Sequence, residues 1–199
     1  MNDEKIYNKR SERRDAAENR QRILETALML FNKNGVDSVS MNQIAKEAMI
    51  GSGTLYRRYR NKGELCLDLL KENVVTFFEK TEAFLEENRT VPASERLKGV
   101  LSLYIRFRES KAQLLKGVED TTVTNQSKSG IRTPSPIYNE LHQLLLDLFD
   151  EIEVQPNNVF RVDMLLESLR IDAYLFQREV RGYTPEEILD KVCTLFIPN

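Results

Sequence analysis

The spacing of apolar residues is helical along almost the whole chain. Leu24, Ala27, Leu28 and Phe31 fall at i, i+3, i+4 and i+7, the face of an amphipathic helix expected over about residues 17–34. Gly35 suits the left-handed position just past its end, with Val36 packing back on Phe31. Ser40 and Gln43 form a capping box ahead of Ile44 and Ala45, so a short helix runs from Ser40 to about Ala48. A third short helix is expected over about 52–58, with Leu55 and Tyr59 turned inward. Asn61 and Glu64 open a long helix to about residue 87, striped by Leu67, Leu70, Val74, Phe77, Phe78 and Phe84/Leu85.

Beyond the break at Asn88–Pro92, Leu97, Leu101, Tyr104, Ile105 and Phe107 predict a helix from Ser94, and a separate one follows over about 110–119. Residues 120–135 are polar, with one Gly and one Pro, and read as a long surface loop. Ile137, Leu141, Leu144, Leu145, Leu148 and Phe149 stripe a helix over about 136–151. After Gln155–Pro156 one long helix is expected through about 180, carrying Val162, Leu165, Leu166, Leu169, Ala173 and Phe176. Gly182 stops it, and the Thr184–Glu187 capping box, with Pro185 at the first helical position, opens the last helix. Strand signals are nearly absent. The expected fold is all-α with about nine helices: an N-terminal three-helix helix-turn-helix domain and a larger helical C-terminal domain.

The 199 residues are 41% hydrophobic and 30% charged, enough to bury a core under a solvated surface. No apolar run reaches the ~18–20 residues of a membrane span. The charged start MNDEKIYNKRSERRD is not a secretory signal, and two cysteines suit a reducing compartment, so the expected location is cytoplasmic. Cys66, Cys193 and the single His142 cannot close the usual four-ligand zinc site, and no cofactor is expected. No nucleophile–base pair or phosphate loop is recognisable. Gly51-x-Gly53 lacks a preceding strand, which argues against an enzyme.

The net charge of −2 conceals a division. Residues 1–70 carry 13 Lys/Arg against 10 Asp/Glu, and residues 71–199 carry 16 against 21. A basic head on an acidic body suggests different partners for each. The run Arg57-Arg58-Tyr59-Arg60-Asn61-Lys62 follows directly on the third helix. The N-terminal end of a reading helix needs small, hydrogen-bonding residues to approach base edges and phosphates, and Ser52, Gly53 and Thr54 supply them. Tyr56, Arg58 and Lys62 are candidates for phosphate contact. Arg10, Arg13 and Arg14 belong either to a frayed tail or to an arm entering a minor groove.

Three blocks together carry a resemblance. They are Arg22-Ile23-Leu24-x-x-Ala27-x-x-x-Phe31-x-x-x-Gly35, Ser40-Met41-x-x-Ile44-Ala45-x-x-Ala48, and Gly53-Thr54-Leu55-Tyr56-x-x-Tyr59-x-Asn61-Lys62-x-x-Leu65. Over about residues 20–70 the chain resembles the N-terminal domain of TetR-family transcriptional regulators. The resemblance implies a homodimeric repressor that binds a double-stranded operator, as an inverted repeat, and is released by a small-molecule effector. The expected division is a flexible basic arm over 1–16, a helix-turn-helix DNA-binding domain over 17–62 and a helical effector-binding and dimerisation domain over 63–199. DNA contacts carried over by position fall on Ser40, Met41, Asn42, Ser52, Gly53, Thr54, Tyr56, Arg58 and Lys62. The long fourth helix would be the lever between head and effector site.

Two positions depart from the family pattern. Met49 stands where the turn usually has Gly, and Gly51 stands where Ser or Asp often caps the reading helix. A helical adaptor that keeps the fold without binding DNA is therefore the alternative reading. Pocket candidates are Phe77, Phe78, Tyr104, Phe107, Leu141, His142, Leu145, Met164 and Leu169, each of which also reads as ordinary core. Dimer-interface candidates are Leu165, Leu169, Ala173, Phe176, Ile188, Val192, Leu195 and Phe196.

Overall fold

The computed structural model describes residues 3–124 and 136–197, with side chains over 16–119 and 137–197. It is helical throughout the described residues, in two compact units that divide between Leu69 and Leu70. The elements are α1 (Asp3–Asn34), α2 (Met41–Glu47), α3 (Ser52–Arg58), α4 (Lys62–Glu87), α5 (Ala93–Thr124), α6 (Pro136–Ile152), α7 (Asn158–Ser168), α8 (Ile171–Leu175), a π turn (Phe176–Val180) and α9 (Pro185–Phe196). No helix among them is long and apolar enough to cross a membrane.

In the first unit α1 begins at Asp3, well before residue 17, so the segment expected as an arm continues the helix. Its inward face is Ile23, Ala27, Leu30 and Phe31, whereas Leu28 of the expected stripe is exposed. The stripe is rotated because α2 supplies the apposed surface through Met41, Ile44 and Ala45. Gly35 takes φ 76° and donates its N–H to Phe31 O at 2.9 Å, which closes α1 as the sequence indicates. Ser40 caps α2 by accepting from Gln43 N at 3.2 Å. Asn61 caps α4 by accepting from Glu64 N at 2.9 Å, and Glu64 reaches back to Arg60 N at 2.7 Å.

The second unit packs α5, α6, α7, α8 and α9 with the distal part of α4. Its fully buried residues include Leu97, Leu101, Ile105, Leu141, Leu145, Phe149, Leu165 and Tyr174. Phe77 is the hub of an aromatic cluster, with ring centroids 5.0 Å from Phe78, 5.9 Å from Tyr104 and 5.1 Å from Phe107. Gly99 lets α4 approach: a Cβ there would lie 2.1 Å from the Phe84 ring.

Three expectations are corrected here. The helices expected over 94–107 and 110–119 form one element, α5, interrupted only at Lys111 (φ −123°, ψ 16°). That element runs to Thr124, into the expected 120–135 loop, while residues 125–135 lie outside the described residues. The single helix expected through 180 is broken at Leu169–Arg170. Arg170 turns extended (φ −54°, ψ 153°), and the Ile171 N–H donates to Glu119 Oε2 at 3.0 Å. A carboxylate from α5 thus takes an amide that helix continuation would have satisfied within the chain. Further on, Tyr174 donates its hydroxyl to Glu109, and Arg178 donates to Glu109 Oε1 at 2.9 Å and to Tyr183 O at 2.6 Å. These bonds tie the π turn to α5 and to the chain beyond it. Arg178 holds the Glu109 carboxyl below its usual range.

Candidate nucleic-acid interface

The candidate reading surface, α3, belongs to the compact first unit. Leu55 is fully buried and Tyr59 nearly so, and between them they anchor α3 along one side. The opposite side carries Ser52, Gly53 and Tyr56, all exposed, with Thr54 half-buried. Gly53 has open space where a Cβ would stand, so nothing in the chain blocks close approach to its backbone. Gly51 caps α3 without a side-chain hydrogen bond, leaving the first amides of α3 without a capping side chain. Ser40 and Asn42, at the start of α2, are exposed as well.

The turn between α2 and α3 uses Met49 in the left-handed region, φ 53°, the only non-glycine there among the described residues. Its side chain is 83% exposed, so no packing compensates the strain. Met49 N donates to Lys46 O at 3.1 Å and Ile50 N to Ala45 O at 3.0 Å, so the hydrogen bonds of the turn form despite the residue.

Two predicted contact residues are placed differently. Met41 is 7% exposed and belongs to the core between α1 and α2. Its neighbour Ser40 is the cap, and the helical turn that follows directs Met41 inward. Lys62 donates its ammonium to Val36 O at 2.5 Å and Asp37 O at 3.3 Å, tying the start of α4 to the loop after α1. Arg58 remains exposed and donates to Ala16 O at 3.2 Å, while Arg57 points outward with a long contact to Thr54 Oγ1. Arg57, Arg58 and Arg60 thus stay at the surface, and Lys62 ties α4 to the loop after α1. Sequence reasoning missed Arg20, whose guanidinium is fixed on Asp68; the pairing spans 48 positions and leaves no local signal.

The expected pocket residues separate into two groups. Phe77, Phe78, Tyr104, Phe107, Leu141, Leu145 and Leu169 are buried core, and Met164 is exposed. His142 Nε2 lies 3.1 Å from Asp163 Oδ1 and its ring stacks on Tyr138, whose hydroxyl also donates to Asp163, so it links α6 to α7. Of the expected interface residues, Leu165, Leu169, Ile188 and Val192 are enclosed within the single chain, Phe176 and Leu195 are exposed, and Ala173 and Phe196 are half-buried. Burial drives the Cys66 thiol up to about 12, and the Cys193 thiol is also raised, chiefly by burial, which disfavours the thiolate at both.

Residues 23–69 match the family model for bacterial regulatory proteins, tetR family. The chain is 33% identical over 189 residues to an HTH-type transcriptional regulator of Staphylococcus aureus (strain bovine RF122 / ET3-1), covering 93% of this chain and 96% of that one. The corresponding regulator of Staphylococcus aureus (strain USA300) is 32% identical with the same coverage. Among solved structures, the fold is similar to Thermus thermophilus FadR, a TetR-family repressor in complex with lauroyl-CoA, at TM-score 0.67 and 19% identity over 89% of this chain and 93% of that one. It is also similar to Bacillus subtilis FadR in complex with stearoyl-CoA, at TM-score 0.60 and 20% identity over 89% and 97%. An exposed reading helix on a buried Leu55–Tyr59 anchor, together with near full-length relatives, places the chain in the tetR family of bacterial regulatory proteins, as a DNA-binding transcriptional regulator.

Proposed function

We propose that the protein is a homodimeric repressor that binds an inverted-repeat operator and is released by a small-molecule effector. The observation that carries this reading is α3, which holds Leu55 and Tyr59 inward and offers Ser52, Gly53, Thr54 and Tyr56 to a partner. In the proposed complex those four residues meet the major groove, with Ser40, Asn42 and Arg58 on phosphates. Met41 and Lys62 act indirectly, by shaping the head. Residues 1–16 serve as a basic arm, 17–62 as the DNA-binding domain and 63–199 as the effector and dimerisation domain. Exposed Phe160, Met164, Phe176 and Leu195 support pairing of the second unit with its copy.

The ligand-bound FadR structures support a small-molecule effector for this chain too. Such an effector acts only through its difference in affinity between the DNA-competent and released states. The chain passes from the first unit to the second within α4, the natural route for that coupling. Selection of bound sequences from a random duplex pool at moderate salt tests the reading. An enriched inverted repeat, lost in the Tyr56→Ala and Thr54→Ala variants, is the expected result. A folded dimer that enriches nothing would overturn it.

A further inference from the structure

α3 is held by packing along one edge only. Leu55 and Tyr59, one turn apart, are its inward anchors, and apolar contact of that kind has no preferred direction. Its first residues have no side-chain cap, because Gly51 stands at the cap position. Among the described residues, the directional ties from α3 to other elements lie at the opposite end. The Tyr59 hydroxyl donates to Asp68 on α4 at 2.5 Å, and Asp68 also accepts from Arg20 on α1 at 2.9 and 2.6 Å. Arg58 Nη1 donates to Ala16 O at 3.2 Å, one turn of α1 before Arg20. Two consecutive residues at the end of α3 are therefore tied to one stretch of α1, Arg58 directly and Tyr59 through Asp68. All of these groups belong to the first unit.

We infer that Asp68 is a positioning residue for sequence recognition: through Tyr59 it sets the tilt of α3, and with it the bases the protein tells apart. The inference rests on the placement of α3 in the major groove proposed above. Ser52 lies seven positions from Tyr59, about 10 Å along the helix axis. A tilt of about 6° at the Tyr59 end displaces Ser52 by about 1 Å. Hydrogen bonds to base edges do not survive such a displacement intact, because good donor–acceptor distances span only about 0.5 Å. Contacts to phosphate carry no sequence information, and flexible side chains keep them through a small shift. Loss of the Asp68 tie therefore costs discrimination between sequences more than it costs affinity for DNA at large. A residue that only stabilised the head would affect both equally, in proportion to the folded fraction. Tyr59→Phe keeps the buried ring and removes only the directional bond, and Asp68→Asn keeps the shape and removes the charge that orients Arg20.

The test is selection from one random duplex pool by the full-length wild type, Tyr59→Phe, Asp68→Asn and their double variant, at a temperature where circular dichroism shows each fully folded. Both single variants are expected to enrich the wild-type motif about tenfold less, the discrimination carried by one good base contact. Affinity for the unselected pool is expected to stay within about twofold of wild type, with the same salt slope. The double variant is expected to lose no more than Asp68→Asn alone, since both act through one bond. Phe31→Leu, a core truncation about three turns along α1 from Arg20, is expected to lower the melting temperature and keep the enrichment. Full wild-type enrichment in the single variants would overturn the inference, as would parallel losses of enrichment and of affinity for the unselected pool, or an equal loss of enrichment in Phe31→Leu. A wild type that enriches no motif overturns the major-groove reading and this inference with it, so the wild type alone tells the two failures apart.

Discussion

Asp68 accepts from Arg20 through both carboxylate oxygens, from Nε at 2.9 Å and from Nη2 at 2.6 Å. The same carboxylate accepts from the Tyr59 hydroxyl at 2.5 Å, so one group on α4 holds both α1 and the residue that closes α3. The reading helix is positioned from behind by this cluster. Asp68→Asn is expected to destabilise the first unit by about 1–2 kcal/mol, the scale for hydrogen bonds to a partly exposed charged group. Urea unfolding monitored at a probe in the head would measure it.

The same cluster predicts an alkaline limit. Burial, and then the bond to Asp68, push the Tyr59 hydroxyl up to about 12 from an ordinary value of 10. A group raised on folding contributes its full stability below its unfolded value and loses it as pH rises through the folded one. Stability of the head should therefore fall between about pH 10 and 12. Tyr59→Phe should start from lower stability at neutral pH and show less of that alkaline decline in melting temperature. An identical decline in the variant would place its cause elsewhere.

Met49→Gly should stabilise the protein. The left-handed backbone costs a non-glycine residue about 1–2 kcal/mol, and glycine's greater freedom when unfolded returns about 0.5–1 of it. With the Met49 side chain largely in solvent, little packing is lost. The net gain should be about 0.5–1 kcal/mol, read as a higher urea midpoint at constant slope. A lower midpoint would mean that the turn does not carry the strain its φ implies.

Lys62 and Arg58 should separate fold from binding. Lys62→Ala removes the donor to the Val36 and Asp37 carbonyls and should cost about 1–2 kcal/mol of stability. It should leave the salt slope of DNA binding unchanged. Arg58→Ala removes an exposed side chain and should reduce that slope by about 1, the value for one phosphate contact. Exchange of these two phenotypes would mean that the roles are assigned the wrong way round.

In the second unit, Glu119→Ala should be severe. Glu119 accepts from Arg108, whose side chain is only 4% exposed, at 2.8 Å, and from the Ile171 amide at 3.0 Å. Removing it leaves a buried guanidinium without its counter-charge and α8 without its cap, a loss of about 3–5 kcal/mol by thermal or urea unfolding. A loss under about 1 kcal/mol would show that water replaces the carboxylate.

Much of the fold was readable because its signals are local. The caps at Ser40, Asn61 and Thr184, the left-handed stop at Gly35 and the turn position of Met49 each depend on a few adjacent residues. Leu55 and Tyr59 could be assigned inward, and Ser52 and Gly53 outward, from spacing along one short helix. The inward packing of Met41 and the bonds of Lys62 to the Val36 and Asp37 carbonyls were not legible, because position along a helix does not say which neighbouring element stands beside it.

Helical periodicity, capping chemistry and glycine geometry are properties of neighbours in the chain, so the all-helical class, most helix ends and the helix-turn-helix head follow from the amino-acid order. Contacts between distant segments do not. The break at Arg170 depends on Glu119, 51 positions earlier, and the stripe from Leu165 to Phe176 runs through it without interruption. The rotation of α1 about its axis and the Arg20–Asp68–Tyr59 cluster likewise arise only when helices pack. An amide, a charge or an apolar face is satisfied by whichever partner lies nearest in space, and that partner is chosen by the packing.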